Sequence, residues 1–253
     1  MMKKILLIIP IALLFLASNA HAEFTPDTSS TIGGNATSVN GTITIGNGSN
    51  ELLVIAYDAG NSVCASPTIT IGGNTPTFDA SNTVGTNRYS FIYHMVGQSG
   101  TLSATSTCTG KHGQAMRISS YFGVNQSSPV DVTSSFATST SVTNVSSTIT
   151  TNLANDLLVD DVAGRQDLTA AGTGQIVIST STPLATGDHG GSSYKLVTAT
   201  GTYAMSWTFG ITSSYAQTIV AFAPTPTSSE GESPSLFLIR SPLTIRGSTL
   251  TIR

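Results

Sequence analysis

Beyond the first 22 residues the chain carries three histidines, His94, His112 and His189, and each has a different setting. His94 lies inside the apolar run Phe91–Val96, where a buried, partnered imidazole is expected. Lys111-His112-Gly113 reads as a solvated loop between strands. Asp188-His189-Gly190-Gly191 is the most site-like cluster, with an acid beside an imidazole on a segment whose glycines suggest a flexed loop. No G-x-S-x-G elbow accompanies it, so no nucleophile is marked for acyl transfer. For metals there is no H-E-x-x-H, C-x-x-C or D-x-D-x-D-G pattern. Asp160 and Asp161 are adjacent, and on a strand adjacent side chains point to opposite faces. One of them must then face inward or sit near a sheet end, which requires a partner or a cation. Arg165, Asp167 and Asp58 are the nearest candidates by sequence. Ca²⁺ held among Asp160, Asp161 and Asp167 is the one cofactor left open. Glycoside hydrolysis needs two carboxylates facing each other across a cleft, and the acids here are too few and too scattered to nominate a pair. Sugar recognition without catalysis would use an exposed aromatic ring. Trp207 is the single tryptophan, followed as a candidate by Tyr215 and then by Tyr89 and Tyr93. Trp207 shares its strand face with Met205 and Phe209, so the core and a binding platform are competing readings. With Asp188 and His189, Trp207 and Tyr215 make up the expected ligand-binding set.

The elements that must position these residues come in two copies. Thr42–Gly60 reads TITIGNGSNELLVIAYDAG, and Thr148–Gly164 answers with TITTNLANDLLVDDVAG. In each, a Thr-Ile-Thr strand leads into a polar turn, an acid (Glu51, Asp156) and Leu-Leu-Val. Tyr89–Gly123 is echoed by Tyr194–Pro224, each with an internal Gly-Thr turn. Short β-branched runs alternate with Gly, Asn, Pro and Ser clusters, and no segment has a helical period. The expectation is an all-β, antiparallel two-sheet β-sandwich, jelly-roll-like, built by internal duplication over 38–124 and 142–224. Residues 23–37 read as a flexible lead-in. Leu102–Thr107 and Met116–Phe122 read as separate strands, as do Tyr203–Phe209 and Tyr215–Ala223.

Composition sets the surroundings. Only 9% of residues are charged against about 25% in ordinary soluble domains, while 39% are apolar, so the surface must be rich in hydroxyls and amides. Lys3 and Lys4, the apolar run Ile5–Leu16 and Ala20-His21-Ala22 form an export signal over 1–22, too short in its apolar part to span a bilayer. Without those two lysines, 8 basic residues face 13 acidic ones, which argues against a nucleic-acid partner. Cys64 and Cys108, an even pair in an exported chain, are expected to form one disulfide. Residues 225–235 are a Pro/Ser/Glu linker. The tail 236–253 repeats a strand-prone unit ending in arginine: Leu238-Ile239-Arg240, Leu243 to Ile245-Arg246, and Leu250 to Ile252-Arg253. Such a segment can pack on its own domain, or pair with another subunit or a surface.

Taken together, Asn50–Val54, Ile69–Gly73, Tyr121–Val130, Asp156–Asp160 and the closing Ala216–Phe222 strand resemble a loosely defined group of uncharacterised secreted or surface β-sandwich proteins of bacteria and phages. The resemblance covers roughly 38–224 and brings no catalytic residues. The expectation is a secreted, non-enzymatic structural or adhesive protein of a cell surface or fibre. A carbohydrate-binding module is the alternative, and a glycoside hydrolase comes after it.

Overall fold

The computed structural model describes residues 23–60, 62–181 and 188–226. Over these it has twelve strands, all paired antiparallel, and a single 3-10 turn at Ser62–Cys64. The first copy supplies β1 (Thr25–Ile45), β2 (Leu52–Ala59), β3 (Thr68–Ile71), β4 (Thr77–Thr83), β5 (Tyr89–Val96) and β6 (Gly100–Phe122). The second supplies β7 (Val130–Thr151), β8 (Leu157–Gly164), β9 (Leu168–Ala171), β10 (Ile176–Ser181), β11 (His189–Leu196) and β12 (Gly201–Phe222). Each copy makes one six-stranded sheet. The first runs β1-β6-β2-β5-β4 with β3 on β6, and the second runs β10-β11-β8-β12-β7 with β9 on β12.

The expected all-β, two-sheet architecture is therefore present, but two of its segments differ from expectation. Residues 25–37 are strand, not lead-in, because β1 pairs with β6 from Thr25 opposite Phe122 onward. Their Ser, Thr and Gly face outward while Phe24 and Ile32 turn inward, a pattern thin enough to look like linker. The expected breaks inside β6 and β12 are bulges within continuous strands, between Ala36/Ser38 in the β1–β6 register and Thr208/Ser213 in the β12–β7 register. Lys111 lies in the first bulge while His112 and Gly113 pair with Ala36 and Asn35, so the segment is inside β6 and not in a loop.

These bulges let each long ribbon fold over its own copy. Ile32, Val39 and Ile43 of β1 meet Leu53, Ile55 and Tyr57 of β2 and Met116 and Ile118 of β6 in a private core. In the second copy Ile149, Leu158, Met205 and Ile219 pack together, and Val145, Val162, Trp207 and Phe209 form a neighbouring cluster. β2 and β8 are buried on both faces, as the apolar run Leu52–Tyr57 requires of β2, while β8 buries two aspartates as well. Their second faces meet in a shared layer, where Leu52, Val54, Ile92 and Tyr121 pack on Leu157, Val159, Val220 and Phe222. The two copies thus enclose one layer jointly and a core each.

The turns entering β2 and β8 repeat one device: Asn50 and Asn155 adopt left-handed backbone with φ of 55° and 63°, a conformation asparagine tolerates better than most residues. Cys64 and Cys108 are bonded with Cα atoms 4.8 Å apart, tying the 3-10 turn to β6. A loop closed over a separation of 44 residues contributes about 4 kcal/mol in the chain-entropy account. No helix among the described residues is long and apolar enough to cross a membrane.

Candidate functional site

Of the residues expected to carry chemistry, Asp161 and Asp188 reach the layer between the copies, through partners that spacing did not suggest. Alternation along β8 sends Asp160 into the second copy's core and Asp161 into the shared layer. Asp160 accepts from Ser193 N (3.0 Å), Ser193 Oγ (2.6 Å), Trp207 Nε1 (2.8 Å) and Gln217 Nε2 (2.8 Å). Burial still pushes its carboxyl up to about 6, against the lowering effect of those donors. Asp161 instead meets Arg117 of β6, whose Nη1 lies 3.2 Å from Asp161 Oδ1 and also binds Asp58 Oδ1. All three side chains are buried. Burial raises the Asp58 and Asp161 carboxyls, Arg117 offsets part of this, and Asp58 lifts Asp161 further by like charge.

A second ionic group continues this one. Asp188 Oδ1 pairs with Arg88 Nη1 at 2.8 Å, and Asp188 Oδ2 lies 3.0 Å from His112 Nδ1. Arg88 Nη1 also donates to Gly60 O at 3.0 Å. Two glycines permit this approach. A Cβ on Gly60 would overlap the Asp188 carboxylate, and one on Gly190 would overlap that of Asp58. Gly190 therefore serves close packing at the start of β11, and the segment expected to be a flexed loop is strand from His189 on.

The expected ligand-binding set does not form a surface. Trp207, Tyr215, Asp188 and His189 are all buried, Trp207 at 2% exposure, so no ring face is offered to a sugar. Tyr89 and Tyr93 are half-buried and flank Phe91 in a stacked row with centroids 6.2 and 6.1 Å apart, so each covers its neighbour's face. The expected Ca²⁺ set is likewise dispersed: Asp160 and Asp161 diverge, and Asp167 sits at the surface, 2.8 Å from His189 Nδ1. The four donors on Asp160 occupy both of its oxygens. Among the described residues, no three His, Cys, Asp or Glu side chains converge as a metal would require. His94 is partnered as expected, with Nδ1 2.6 Å from Asp79 Oδ1. Leu238, Ile239, Arg240, Leu243, Ile245, Arg246, Leu250, Ile252 and Arg253 lie outside the described residues, as do residues 1–22, where an export signal is expected.

The Asp188–His112 pair has the geometry by which an acid orients an imidazole. Among the described residues the other polar contact of His112 is the Gly113 carbonyl, and no hydroxyl hydrogen-bonds its ring. Arg88, Arg117 and His112 are what sequence reasoning missed. A signal was present for Arg117 alone: a guanidinium between the apolar Met116 and Ile118, answering an Asp161 that stands where the other copy has Ala56.

The repeated acids at the strand entries form a third feature. Asp27 Oδ2 accepts from Gly46 N (2.8 Å) and Asp131 Oδ2 from Asn152 N (2.7 Å), so each copy closes its turn on a carboxylate. Glu51 and Asp156 lie beside them. Burial, with Asp27 nearby, pushes Glu51 up to about 7, and burial, with Asp131, pushes Asp156 up to about 8. A carboxyl raised in the folded state binds its proton more tightly than in the unfolded chain. Its contribution is fully present below the ordinary value of 3.8 and is lost as pH rises toward about 8. The melting temperature should therefore fall by several degrees between about pH 5 and about pH 8. Asp156→Asn, which keeps the shape and removes the charge, should raise it at the alkaline end and leave it unchanged near pH 4. Scanning calorimetry across pH reads both effects, and a flat wild-type profile would contradict the assignment.

Set against known proteins, the chain matches no family model, no curated protein and no solved structure.

Proposed function

We propose that this protein is a secreted, non-enzymatic structural or adhesive subunit of a cell surface or extracellular fibre. The observation that carries this reading is an inversion of the usual charge distribution. Asp58, Arg88, Arg117, Asp160, Asp161 and Asp188 are buried between and within the copies, where ordinary domains place such residues at the surface. The outward faces of the long ribbons carry hydroxyls and amides bonded across strands instead. Thr44 pairs with Thr101 at 2.9 Å and Thr105 with Asn40 at 2.8 Å. The second copy repeats the scheme with Thr150–Thr202 at 2.8 Å and Thr208–Asn144 at 3.1 Å. Uncharged, hydroxyl-rich β surfaces leave strand edges to pair with neighbours. The ionic groups are engaged with one another, which suits a rigid block better than a turnover site.

In this reading the strand-prone tail 236–253 pairs with a neighbouring subunit or a surface. Deleting it should leave the circular dichroism spectrum and melting temperature unchanged while abolishing polymers seen by electron microscopy. A truncated protein that still assembles would remove the tail from the account. A wild-type protein that stays monomeric at high concentration would remove the fibre.

A further inference from the structure

The two sheets meet along one side of the molecule and stand apart along the other. β4, at one end of the first sheet, lies against β7 and β12 of the second. On the opposite side β10, at the end of the second sheet, faces the start of β1 and the end of β6 across a crevice of about 170 Å³. Among the described residues β10 pairs with β11 alone, so its outer backbone edge has no partner there. Outermost strands are normally protected from pairing by charge, proline or a bulge. β1 carries Pro26 and Asp27, β4 carries Asp79 and β7 carries Asp131, whereas Ile176–Ser181 has neither charge nor proline. Its single irregularity, between Val177 and Ser179, comes after Ile176 and Val177, which are 53% and 47% exposed.

The sequence itself supplies a matching segment. Ser248–Arg253 in the tail has six residues, as β10 does, with Leu250 and Ile252 alternating with threonine and no proline. Charge favours the match as well: residues 23–226 contain 11 acidic and 5 basic residues, while 236–253 has three arginines and no acid. Asp27 is exposed at the crevice and uses only Oδ2 for Gly46 N and Ser120 Oγ. The last described residues also leave the domain nearby. Thr225 donates from N and Oγ1 to the carbonyls of Gly123 and Val124, just past the end of β6 that lines the crevice. From there residues 227–235 can span up to about 30 Å, enough to bring the tail to a second molecule.

We propose that the outer edge of β10 is the docking site for the tail of a second copy of this chain, whose Leu-x-Ile-Arg unit adds to the six-stranded second sheet as a seventh strand. Main-chain hydrogen bonds along β10 supply the affinity, and the apolar side chains of the unit cover Ile176 and Val177. Its arginine is drawn to Asp27 across the crevice. The docking site deepens the assembly reading and rests on it for the presence of a second copy. A tail returning to its own β10 would instead cap the edge and leave a monomer.

Cysteine pairing on the full chain tests it. Cys64 and Cys108 are bonded and buried, so an introduced thiol is the free one. Chains carrying Val177→Cys are mixed with chains carrying Leu243→Cys or Leu250→Cys, oxidised mildly and separated on a non-reducing gel. A covalent dimer joining one chain of each kind is expected, and none when Ile211→Cys on β12, at a residue 60% exposed, takes the place of Val177→Cys. Val177→Lys puts a charge on the edge at a half-exposed position. It should raise the concentration needed for assembly at least tenfold and leave the melting temperature unchanged. The docking site is overturned if position 177 cross-links no better than 211, if Val177→Lys assembles as wild type does, or if Val177→Cys and Leu250→Cys in one chain bond only within that chain. Any of these results beside wild-type polymers refutes the edge and leaves the fibre standing. A mixed dimer from protein that never polymerises does the reverse.

Discussion

Arg117→Met should cost about 3–5 kcal/mol, because it strands two buried carboxylates without their shared guanidinium. That is a large share of the ~5–15 kcal/mol by which a typical domain is stable. The stranded charges belong to different copies, Asp58 on β2 and Asp161 on β8, so the loss falls on the joint between them. Urea unfolding should show an earlier midpoint and, where the joint fails first, a second transition as the copies part. The other copy supplies the compensating change. Its residues at the equivalent places are Ala163 for Asp58, Ala56 for Asp161 and Thr218 for Arg117, all accommodated within the same layer. Asp58→Ala and Asp161→Ala added to Arg117→Thr should recover the part of the loss that comes from stranded charge, leaving the cost of the cavity that the smaller side chains open. An Arg117→Met protein as stable as wild type would show that the network is dispensable.

The contrast between those variants also explains what could be read in advance. β2 was legible because the unbroken apolar run Leu52–Tyr57 demands burial on both faces, and β8 because it repeats the same Leu-Leu-Val entry. The disulfide was legible from an even pair of cysteines. Asp160 and Asp161 were legible as a problem: strand alternation said that one must face inward or sit near a sheet end, and both face inward. Their partners were not legible. Arg117 lies 44 residues before Asp161, and Arg88 lies outside any strand, so neither has a periodicity that points at the joint. Thr25–Ala36 hid for the opposite reason, since a ribbon edge needs few apolar residues and Phe24 and Ile32 suffice.

Asp160→Ile, which copies Ile55 from the equivalent place in the first repeat, should be the most damaging single change in the second copy's core. Matching the apolar residue does not help, because its surroundings have diverged with it. The substitution removes the acceptor for Trp207 Nε1, Gln217 Nε2 and both the amide and hydroxyl of Ser193. Each buried donor left unpaired costs about 1–3 kcal/mol, so four together exceed what most single substitutions remove. Burial of the charge is itself unfavourable, as the raised carboxyl shows, yet the stranded donors cost more than the charge does. Asp160→Asn should be intermediate, since one amide oxygen still accepts while the new NH₂ meets donors. Trp207→Phe and Gln217→Met should each be damaging in the wild type and much less so beside Asp160→Ile, the non-additivity expected of residues that act through one carboxylate. Trp207 is the only tryptophan, so its emission reports the outcome directly. It should shift to the red in Asp160→Ile, as water reaches the ring, and an unshifted spectrum with an unchanged midpoint would mean that the four donors had found other acceptors.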